Sequence, residues 1–305
     1  MPTKLASIVR ALGVEPDAIR RVRHRQNTHW RVQAGGRRYA LRRAGAWLDV
    51  EGDLEWELAA VGQWARAGLP VASPLGPPRE FDGVKWFLMP WLGGRTLGGR
   101  AWAGNSWIER DYGRLGELLA EVHAVITDLP PPPQRPGWTS YADAALPLAG
   151  GAARRAELLG ALAKVDAAVA GRFARAAEAL EARDLPRVFA GYPTQTIHAD
   201  FAPWNLRLTQ GRLTGLLDFE LAHLDLLAGD VAQSRRGFHD GVVRGYLRRR
   251  SLTDAELANL DAFWLACIMA GVWRELEQRL ARGPITEVGF TWTLAQLDKI
   301  RPYQG

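Results

Sequence analysis

Four polar residues near the middle of the chain have the types and spacing that a metal-dependent reaction needs. His198, Asp200 and Asn205 lie in the stretch TIHADFAPWNLRL, and Asp218 follows the apolar run LTGLL. Carboxylate and amide oxygens form a hard ligand set, which suits Mg²⁺ better than Zn²⁺. One further carboxylate would accept a proton, so this set of residues is typical of phosphoryl transfer.

A short hairpin is predicted to bring these residues together. The apolar runs LRL and LTGLL flank TQGR, in which Gly211 suits a turn. Both ends of the hairpin would lie on the same side, where Asp200, Asn205 and Asp218 converge. Phosphoryl transfer would use Asn205 and Asp218 to hold the metal on the nucleotide phosphates, while Asp200 orients the acceptor hydroxyl and takes its proton.

The first ninety or so residues predict a mostly antiparallel sheet with one prominent helix. HWRVQ (29–33) and RRYALRR (37–43) flank AGG, which predicts a hairpin. Apolar residues with helical spacing run from Asp53 to Ala67, and the pattern stops at Gly68. LPVASPLG and VKWFLMPWL predict further strands.

The rest of the chain is predicted to be mainly helical. Helical patterns cover 111–126 and roughly 151–183, and PPPP at 130–133 ends the first of them. From Thr253 to the end the pattern is helical again. Its expected large apolar anchors are Trp264, Trp273 and Trp292.

Together these elements predict an α+β fold of two lobes. Residues 1–92 would form a small lobe with an antiparallel sheet and one main helix, and residues 93–305 a larger, mainly helical lobe. A chain of 305 residues that is 47% hydrophobic can fill such a core.

Composition and missing motifs exclude several function classes. The chain has no Gly-Lys-Ser/Thr loop, His-Glu-x-x-His, Gly-x-Ser-x-Gly or Cys-x-x-Cys, so P-loop enzymes, zincins, serine hydrolases and zinc ribbons lack support. The longest uncharged apolar run, at 262–273, is too short to span a bilayer, and no signal peptide is visible at the N-terminus, so we expect a cytoplasmic protein without a membrane partner. Cys267 is interpreted as a small core residue.

The spacing His-x-Asp-x-x-x-x-Asn at 198–205, followed by Asp-Phe-Glu at 218–220, resembles two motifs of the aminoglycoside phosphotransferase and choline kinase-like superfamily, which includes homoserine kinases of the second type. That resemblance implies a bilobal protein-kinase-like fold, with a nucleotide-binding N-terminal lobe that includes the hinge and a C-terminal lobe with the catalytic loop and acceptor site. Other similar segments, in collinear order, are QNTHWRV (26–32), EWELAAVGQWARAGLPVASPL (55–75), WFLMPWLGG (86–94), LGELLAEVHAV (115–125) and GDVA (229–232).

The resemblance also implies a role for individual residues. Asp200 corresponds to the catalytic base, and His198 is expected to hydrogen-bond the catalytic loop rather than carry the proton. Asn205 and Asp218 correspond to the metal ligands. The hinge segment would bind adenine through backbone groups, with the N–H of Trp91 or Leu92 as the most useful donor. The implied nucleotide-binding residues are Asn27, Arg42, Glu57 (or Glu55 if the alignment slips by two), Met89, Trp91 and Leu92.

Some positions depart from the family pattern. Arg42 lies where the family often has a phosphate-contacting Lys, and a guanidinium is not equivalent to an ammonium. Ala199 and Ala202 replace Gly and, often, His, which we expect to alter only loop packing. Asp230 is expected to cap or tie the loop after Asp-Phe-Glu rather than to contact substrate. The candidate acceptor-binding residues are Trp204, Glu220, His223 and Asp225. Alternatively, Trp204 packs in the core, and His223 and Asp225 lie in a solvated turn.

The sequence therefore predicts a Mg·ATP-dependent small-molecule kinase that phosphorylates a hydroxyl of an antibiotic, sugar, amino alcohol or related metabolite. GTP in place of ATP stays open. A polycationic aminoglycoside fits a chain of net charge +6 poorly. The alternative is a non-catalytic, pseudokinase-like nucleotide-binding protein. Nucleic-acid binding ranks last, because the Arg excess is spread along the chain and no nucleic-acid-binding motif accompanies it.

Overall fold

The computed structural model gives the backbone course of most of the chain. It describes residues 2–22, 29–44, 50–97 and 109–305. The α-helices of these ranges, numbered in chain order, are α1 (Pro2–Ala11), α2 (Asp53–Arg66), α3 (Glu109–Ile126), α4 (Gly151–Ala163), α5 (Ala167–Arg183), α6 (Leu185–Val188), α7 (Leu227–Arg235), α8 (Asp240–Leu247), α9 (Asp254–Ala258), α10 (Leu260–Arg282) and α11 (Thr291–Leu297). The strands are β1 (Ala18–Val22), β2 (His29–Ala34), β3 (Arg37–Arg43), β4 (Arg79–Phe81), β5 (Val84–Pro90), β6 (Gln195–Ile197), β7 (Leu206–Thr209), β8 (Arg212–Leu216) and β9 (His223–Asp225).

The backbone packs into two compact units. The first comprises Met1–Gly99 and Trp204–Glu220, and the second comprises Arg100–Pro203 and Leu221–Gly305. A single cut after residue 92 divides the chain differently, because strands β7 and β8 belong with the first unit.

A five-stranded antiparallel sheet, in the order β1-β2-β3-β5-β4, forms the first unit together with α1, α2 and the β7–β8 hairpin. The predicted hairpin between β2 and β3 is confirmed. It turns at Gly35 and Gly36, whose φ values of 51° and 74° suit the type I′ turn that matches strand twist. Helix α1, which the sequence patterns did not predict, contributes Ile8 and Val9 to an apolar core on the sheet.

Helix α2 has the bounds that its glycines predict. It begins after Gly52 (φ 84°) and ends before Gly68 (φ 87°), and both conformations cost a residue with a side chain more than they cost glycine. Trp56 and Trp64 are buried. The helix thereby holds Glu57, on the same buried face, towards the interior of the unit.

The strand predicted for LPVASPLG is absent from the described structure. Only Val71 pairs there, in an isolated bridge with Leu216. Pro70 and Pro74 have no N–H to donate to a ladder, so the segment does not extend as a strand. In contrast, the predicted TQGR hairpin forms as β7–β8, with Gln210 and Gly211 at positive φ.

Helices dominate the second unit, as predicted. Helices α3 and α8 approach so closely that a Cβ on Gly116 would lie 1.9 Å from the Val242 carbonyl oxygen, and one on Gly245 would lie 1.9 Å from the Gly113 oxygen. Only glycine permits this contact at either position.

The long helix α10 carries two of the three predicted tryptophan anchors. Trp264 and Trp273 are buried, but Trp292 on α11 is 57% exposed, so its assignment as an anchor is wrong. No helix in the described ranges combines the length and the apolar character needed to cross a lipid bilayer.

Candidate active site

An open cleft in the first unit collects most of the residues predicted to bind nucleotide and metal. Its empty volume is about 990 Å³. The predicted residues that line it are Arg42, Glu57, Met89, Trp91, Leu92, Trp204, Asn205 and Asp218. Pro90, within the predicted hinge segment, also lines it, whereas the sequence analysis did not name its other lining residues, which are Val22, His29, Ala40, Leu58, Val61, Ala72, Arg207, Leu216, Leu217 and Phe219. Apolar walls with a few polar groups are typical of a small-molecule site. Asn27 lies outside the described residues.

Arg42 is held by two buried carboxylates. Its Nη1 donates to Glu57 Oε1 at 2.5 Å, and its Nη2 contacts Glu57 Oε2 at 3.3 Å and Glu220 Oε1 at 3.2 Å. Burial alone would lower the pKa of Arg42, but the two carboxylates outweigh burial and raise it. The ion pairs of Arg42 thus connect β3 with α2 and with the Asp-Phe-Glu segment.

The two glutamates considered as the partner of Arg42 have different contacts. Glu57 is the partner of Arg42, whereas Glu55 forms an exposed ion pair with Lys85. Glu220, predicted as an acceptor-binding residue, is a partner of Arg42 within the first unit, and its predicted contact with an acceptor stays a prediction.

The backbone at 89–92 offers one of the two predicted donors. The Trp91 N–H donates to the Arg38 carbonyl at 3.1 Å, which extends the pairing of β3 with β5. Since that N–H is engaged, Leu92 is the remaining candidate for a hydrogen bond to a nucleotide base.

Asn205 and Asp218 lie at the two ends of the β7–β8 hairpin and line the same cleft. The Leu217 N–H donates to the Asn205 carbonyl at 2.9 Å, which fixes the two ends side by side. Asp218 adopts a φ of 69°, a left-handed conformation that is uncommon for non-glycine residues and recurs at functional sites.

Their donor set fits a Mg²⁺ ion that shares its coordination with phosphate. One carboxylate and one amide oxygen are typical of nucleotide-bound Mg²⁺, which takes further ligands from phosphates and water. Among the described residues, no group of three or more His, Cys, Asp or Glu side chains could hold a metal independently.

In the second unit, the segment that contains His198 and Ala199 is hydrogen-bonded to Asp230. The buried carboxylate accepts hydrogen bonds from the N–H groups of His198 and Ala199, both at 2.9 Å, and contacts Nε2 of His123 at 3.3 Å. Burial alone would raise the pKa of Asp230, but the contacts with His123 and His198 outweigh burial and lower it. Nδ1 of His123 contacts the Tyr246 hydroxyl at 3.0 Å, which completes a buried chain of polar groups.

His198 has the structural contact predicted for it, because its Nδ1 lies 3.2 Å from the Asp200 N–H. Ala199, between them, has a φ of 56°. A left-handed backbone costs a residue with a side chain about 1–2 kcal/mol relative to glycine. The replacement of Gly by Ala here therefore adds backbone strain, and the expectation of altered loop packing alone is wrong.

The Asp200 carboxylate contacts two side chains from the end of α7. Arg236 Nη2 lies 2.9 Å from Oδ1, and Gln233 Nε2 lies 3.2 Å from the same oxygen. The sequence patterns missed both residues, because neither belongs to a motif and only the tertiary fold brings them to Asp200. The convergence of Asp200 with Asn205 and Asp218 stays a prediction.

His223 and Asp225 do not form a solvated turn. Both are buried in strand β9, which pairs with β6. Asp225 accepts hydrogen bonds from the Tyr141 N–H at 2.6 Å and from the Ser140 hydroxyl at 3.1 Å, and His223 stacks on Trp138. Their predicted contact with an acceptor stays a prediction.

The amino-acid sequence of this chain is similar to those of other proteins. An uncharacterized protein of Deinococcus radiodurans is 28% identical over 334 residues, which cover 95% of this chain and 88% of that protein. A homoserine kinase of Chelativorans sp. (strain BNC1) is 33% identical over 191 residues, which cover 59% of this chain and 51% of that enzyme.

Solved structures confirm the predicted α+β, protein-kinase-like fold. A thermostable mutant of aminoglycoside phosphotransferase APH(4)-Ia superposes with a TM-score of 0.67 at 17% identity, covering 98% of this chain and 97% of that one. A microcompartment-associated aminopropanol kinase gives a TM-score of 0.60 at 16% identity, covering 93% and 99%. The family model of the phosphotransferase enzymes matches residues 18–263, and the chain belongs to this phosphotransferase enzyme family.

Proposed function

We propose that this protein transfers the γ-phosphoryl group of ATP to a hydroxyl of a small molecule. The observation that carries the proposal is the cleft of the first unit, in which Asn205 and Asp218 lie with Arg42 and the backbone at 89–92. Its apolar walls suit a nucleotide base, and its oxygen ligands suit metal-bound phosphates. A structure of APH(4)-Ia in complex with ADP and hygromycin B, similar in fold to this chain, supports the assignment.

Each residue has a distinct role in the proposed reaction. Asn205 and Asp218 would hold Mg²⁺, which would neutralise charge on the phosphates when bound. The acceptor oxygen bonds to the γ-phosphorus while the bond from that phosphorus to the β,γ-bridging oxygen breaks, so that ADP leaves. Asp200 orients the acceptor hydroxyl and receives its proton. His198 and Asp230 hold the loop that carries Asp200.

The acceptor is proposed to be a neutral or anionic hydroxyl compound, such as a sugar, an amino alcohol, a macrolide-like antibiotic or a biosynthetic intermediate. Arg236 pairs with the proposed base, so Asp200 presents little uncompensated negative charge to a polycation. The net charge of +6 also disfavours the binding of a polycationic acceptor. The homoserine kinase and aminopropanol kinase among the similar proteins are consistent with a small hydroxyl acceptor.

The experiment is an ATP-consumption screen with Mg²⁺ and a panel of sugars, amino alcohols, nucleosides and antibiotics, with a thermal-shift measurement alongside. Wild type is compared with Asp200→Asn and with the control Asp261→Asn, which replaces another carboxylate that accepts from an arginine. We expect consumption with one acceptor class, its loss in Asp200→Asn and its retention in Asp261→Asn. Absence of Mg·ATP binding at millimolar nucleotide would refute the proposal.

The second candidate is a nucleotide-binding protein without catalysis. It is favoured by the contacts of Arg42, whose guanidinium already serves two carboxylates where related enzymes often use Lys on a phosphate. This candidate predicts nucleotide binding, no turnover with any acceptor and no effect of Asp200→Asn.

A further inference from the structure

Two donors from one helix end hold a single oxygen of Asp200. Arg236 and Gln233 both contact Oδ1, at 2.9 and 3.2 Å. Gln233 lies in the last turn of α7 and Arg236 is the residue that caps it. Both donors therefore approach the same carboxylate oxygen from this one helix end. Rotation of the carboxylate would therefore break two contacts at once.

Arg236 has a side chain at a helix end where the backbone conformation favours glycine. Its φ of 53° lies in the left-handed region, where most positive-φ residues of the described chain are glycines. Gly237, with φ 77°, follows directly, so the turn already contains one residue suited to this conformation. Non-glycine residues retain such strain where the surrounding structure or function requires the side chain. The Arg236 side chain is 19% exposed, and its guanidinium lies 5.9 Å from the centre of the Trp264 ring.

We propose that Arg236 and Gln233 are positioning residues for Asp200. They fix the plane of its carboxylate, so that the acceptor hydroxyl meets the base in one orientation. The inference rests on the proposed function, because it takes Asp200 as the base, and it assigns neither Arg236 nor Gln233 a contact with the acceptor. Misplacement of a reacting group by about 1 Å can reduce turnover by about 10²-fold.

The test compares kcat and KM of wild type, Arg236→Gln, Arg236→Lys and Gln233→Met with the best acceptor from the screen. Arg183→Gln is the matched control, because Arg183 forms a similar ion pair with Asp261 at 2.8 Å elsewhere in the second unit. We expect Arg236→Gln to lose about 10²-fold in kcat, with KM for ATP within twofold of wild type. Gln233→Met should lose less, Arg236→Lys should recover some of the loss, and Arg183→Gln should match wild type.

A double-mutant cycle separates positioning from a general effect on folding. In an Asp200→Asn background, Arg236→Gln should reduce residual turnover no further, because the group it positions is gone. A multiplicative loss in that background, or a kcat of Arg236→Gln within twofold of wild type, would overturn the proposal. Arg236→Lys carries the same test if Arg236→Gln folds poorly, which its melting temperature would show.

The four proteins of this cycle, which are wild type, the two single variants and the double variant, also distinguish this inference from the proposed function. If wild type turns over no acceptor, the proposed function fails. The contact between Asp200 and Arg236 is then tested by measuring the free energies of unfolding of the four proteins. Non-additive unfolding energies for Asp200→Asn and Arg236→Gln support the held carboxylate, whereas additive energies overturn it.

Discussion

Arg42 lies where the family resemblance implies a Lys, and its contacts show how arginine suits this chain. A guanidinium presents several donors in a fixed fork, whereas an ammonium is a compact point charge. The fork of Arg42 reaches Glu57 on α2 and Glu220 after Asp218. Arginine at this position therefore connects two carboxylates that a lysine would not hold with the same geometry.

Removal of the Arg42 charge should strongly destabilise the fold. Arg42→Met leaves Glu57 and Glu220 buried without their counter-charge, which typically costs about 3–5 kcal/mol. The matched control is Lys85→Met. It breaks the exposed pair with Glu55, which also joins the sheet to α2, and should cost less than about 1 kcal/mol. Urea unfolding measures both, and equal losses would contradict the assigned burial of the Arg42 cluster.

Sequence motifs identified the residues that can do chemistry but not the residues that hold them. Asn205 and Asp218 were named from residue type and spacing, and Arg42 and Glu57 from the family resemblance; the structure brings all four to one cleft. Arg236 was not named, because its contact with Asp200 depends on how α7 packs and has no local sequence signal. Residues that position others through such contacts can therefore be found only from the tertiary structure.

Elements with strong local signals were predicted closely. The bounds of α2 and the two hairpins follow from glycines in left-handed conformations, which are set by the chain itself. The segment 69–76 was misassigned because its apolar residues suit a strand while its prolines remove the N–H donors that pairing needs. Helix α1 was missed because short apolar runs do not distinguish helix from strand by periodicity.

The close contact of α3 with α8 gives a prediction at the scale of elements. Gly116→Ala places a methyl group 1.9 Å from the Val242 oxygen, so the helices must separate. We expect a loss of about 3 kcal/mol, at the upper end for overpacking. The control Gly160→Ala, in α4 with open space at the added Cβ, should gain about 0.5–1 kcal/mol in unfolding free energy. A loss at both positions would point to a general intolerance of alanine instead.

The excess of positive charge in the molecule affects its stability as well as its choice of acceptor, because several cationic side chains lie near His239. His239 is partly buried and lies near Arg236, Lys299 and Arg301, and burial followed by these charges lowers its pKa to about 4. Between pH 6.5 and about 4 the unfolded chain therefore binds a proton that the folded chain does not. Stability contributed by neutral His239 is present above this window and is lost as the pH falls through it.

Unfolding free energies at pH 7, 6 and 5 should show this loss. Because the imidazole is partly exposed, we expect about 1 kcal/mol between pH 7 and 5, well below the full linkage value. His239→Phe retains a ring beside Tyr112 and removes the titration, so its stability should fall less over the same range. Parallel pH profiles for the two proteins would exclude His239 as the cause.

The glycines that join α3 to α8 have a consequence for mutational scanning. Gly113, Gly116 and Gly245 have no side chain with which to contact a nucleotide or an acceptor, yet nearly every substitution there must push the helices away from each other or displace Arg248. In a library selected for phosphotransfer, Gly113, whose added Cβ would meet only the flexible end of Arg248, should accept small side chains, whereas Gly116 and Gly245 should be as intolerant as Asp200. Intolerance alone would thus mark these two glycines as catalytic, and only a parallel selection for folded protein would separate scaffold from chemistry.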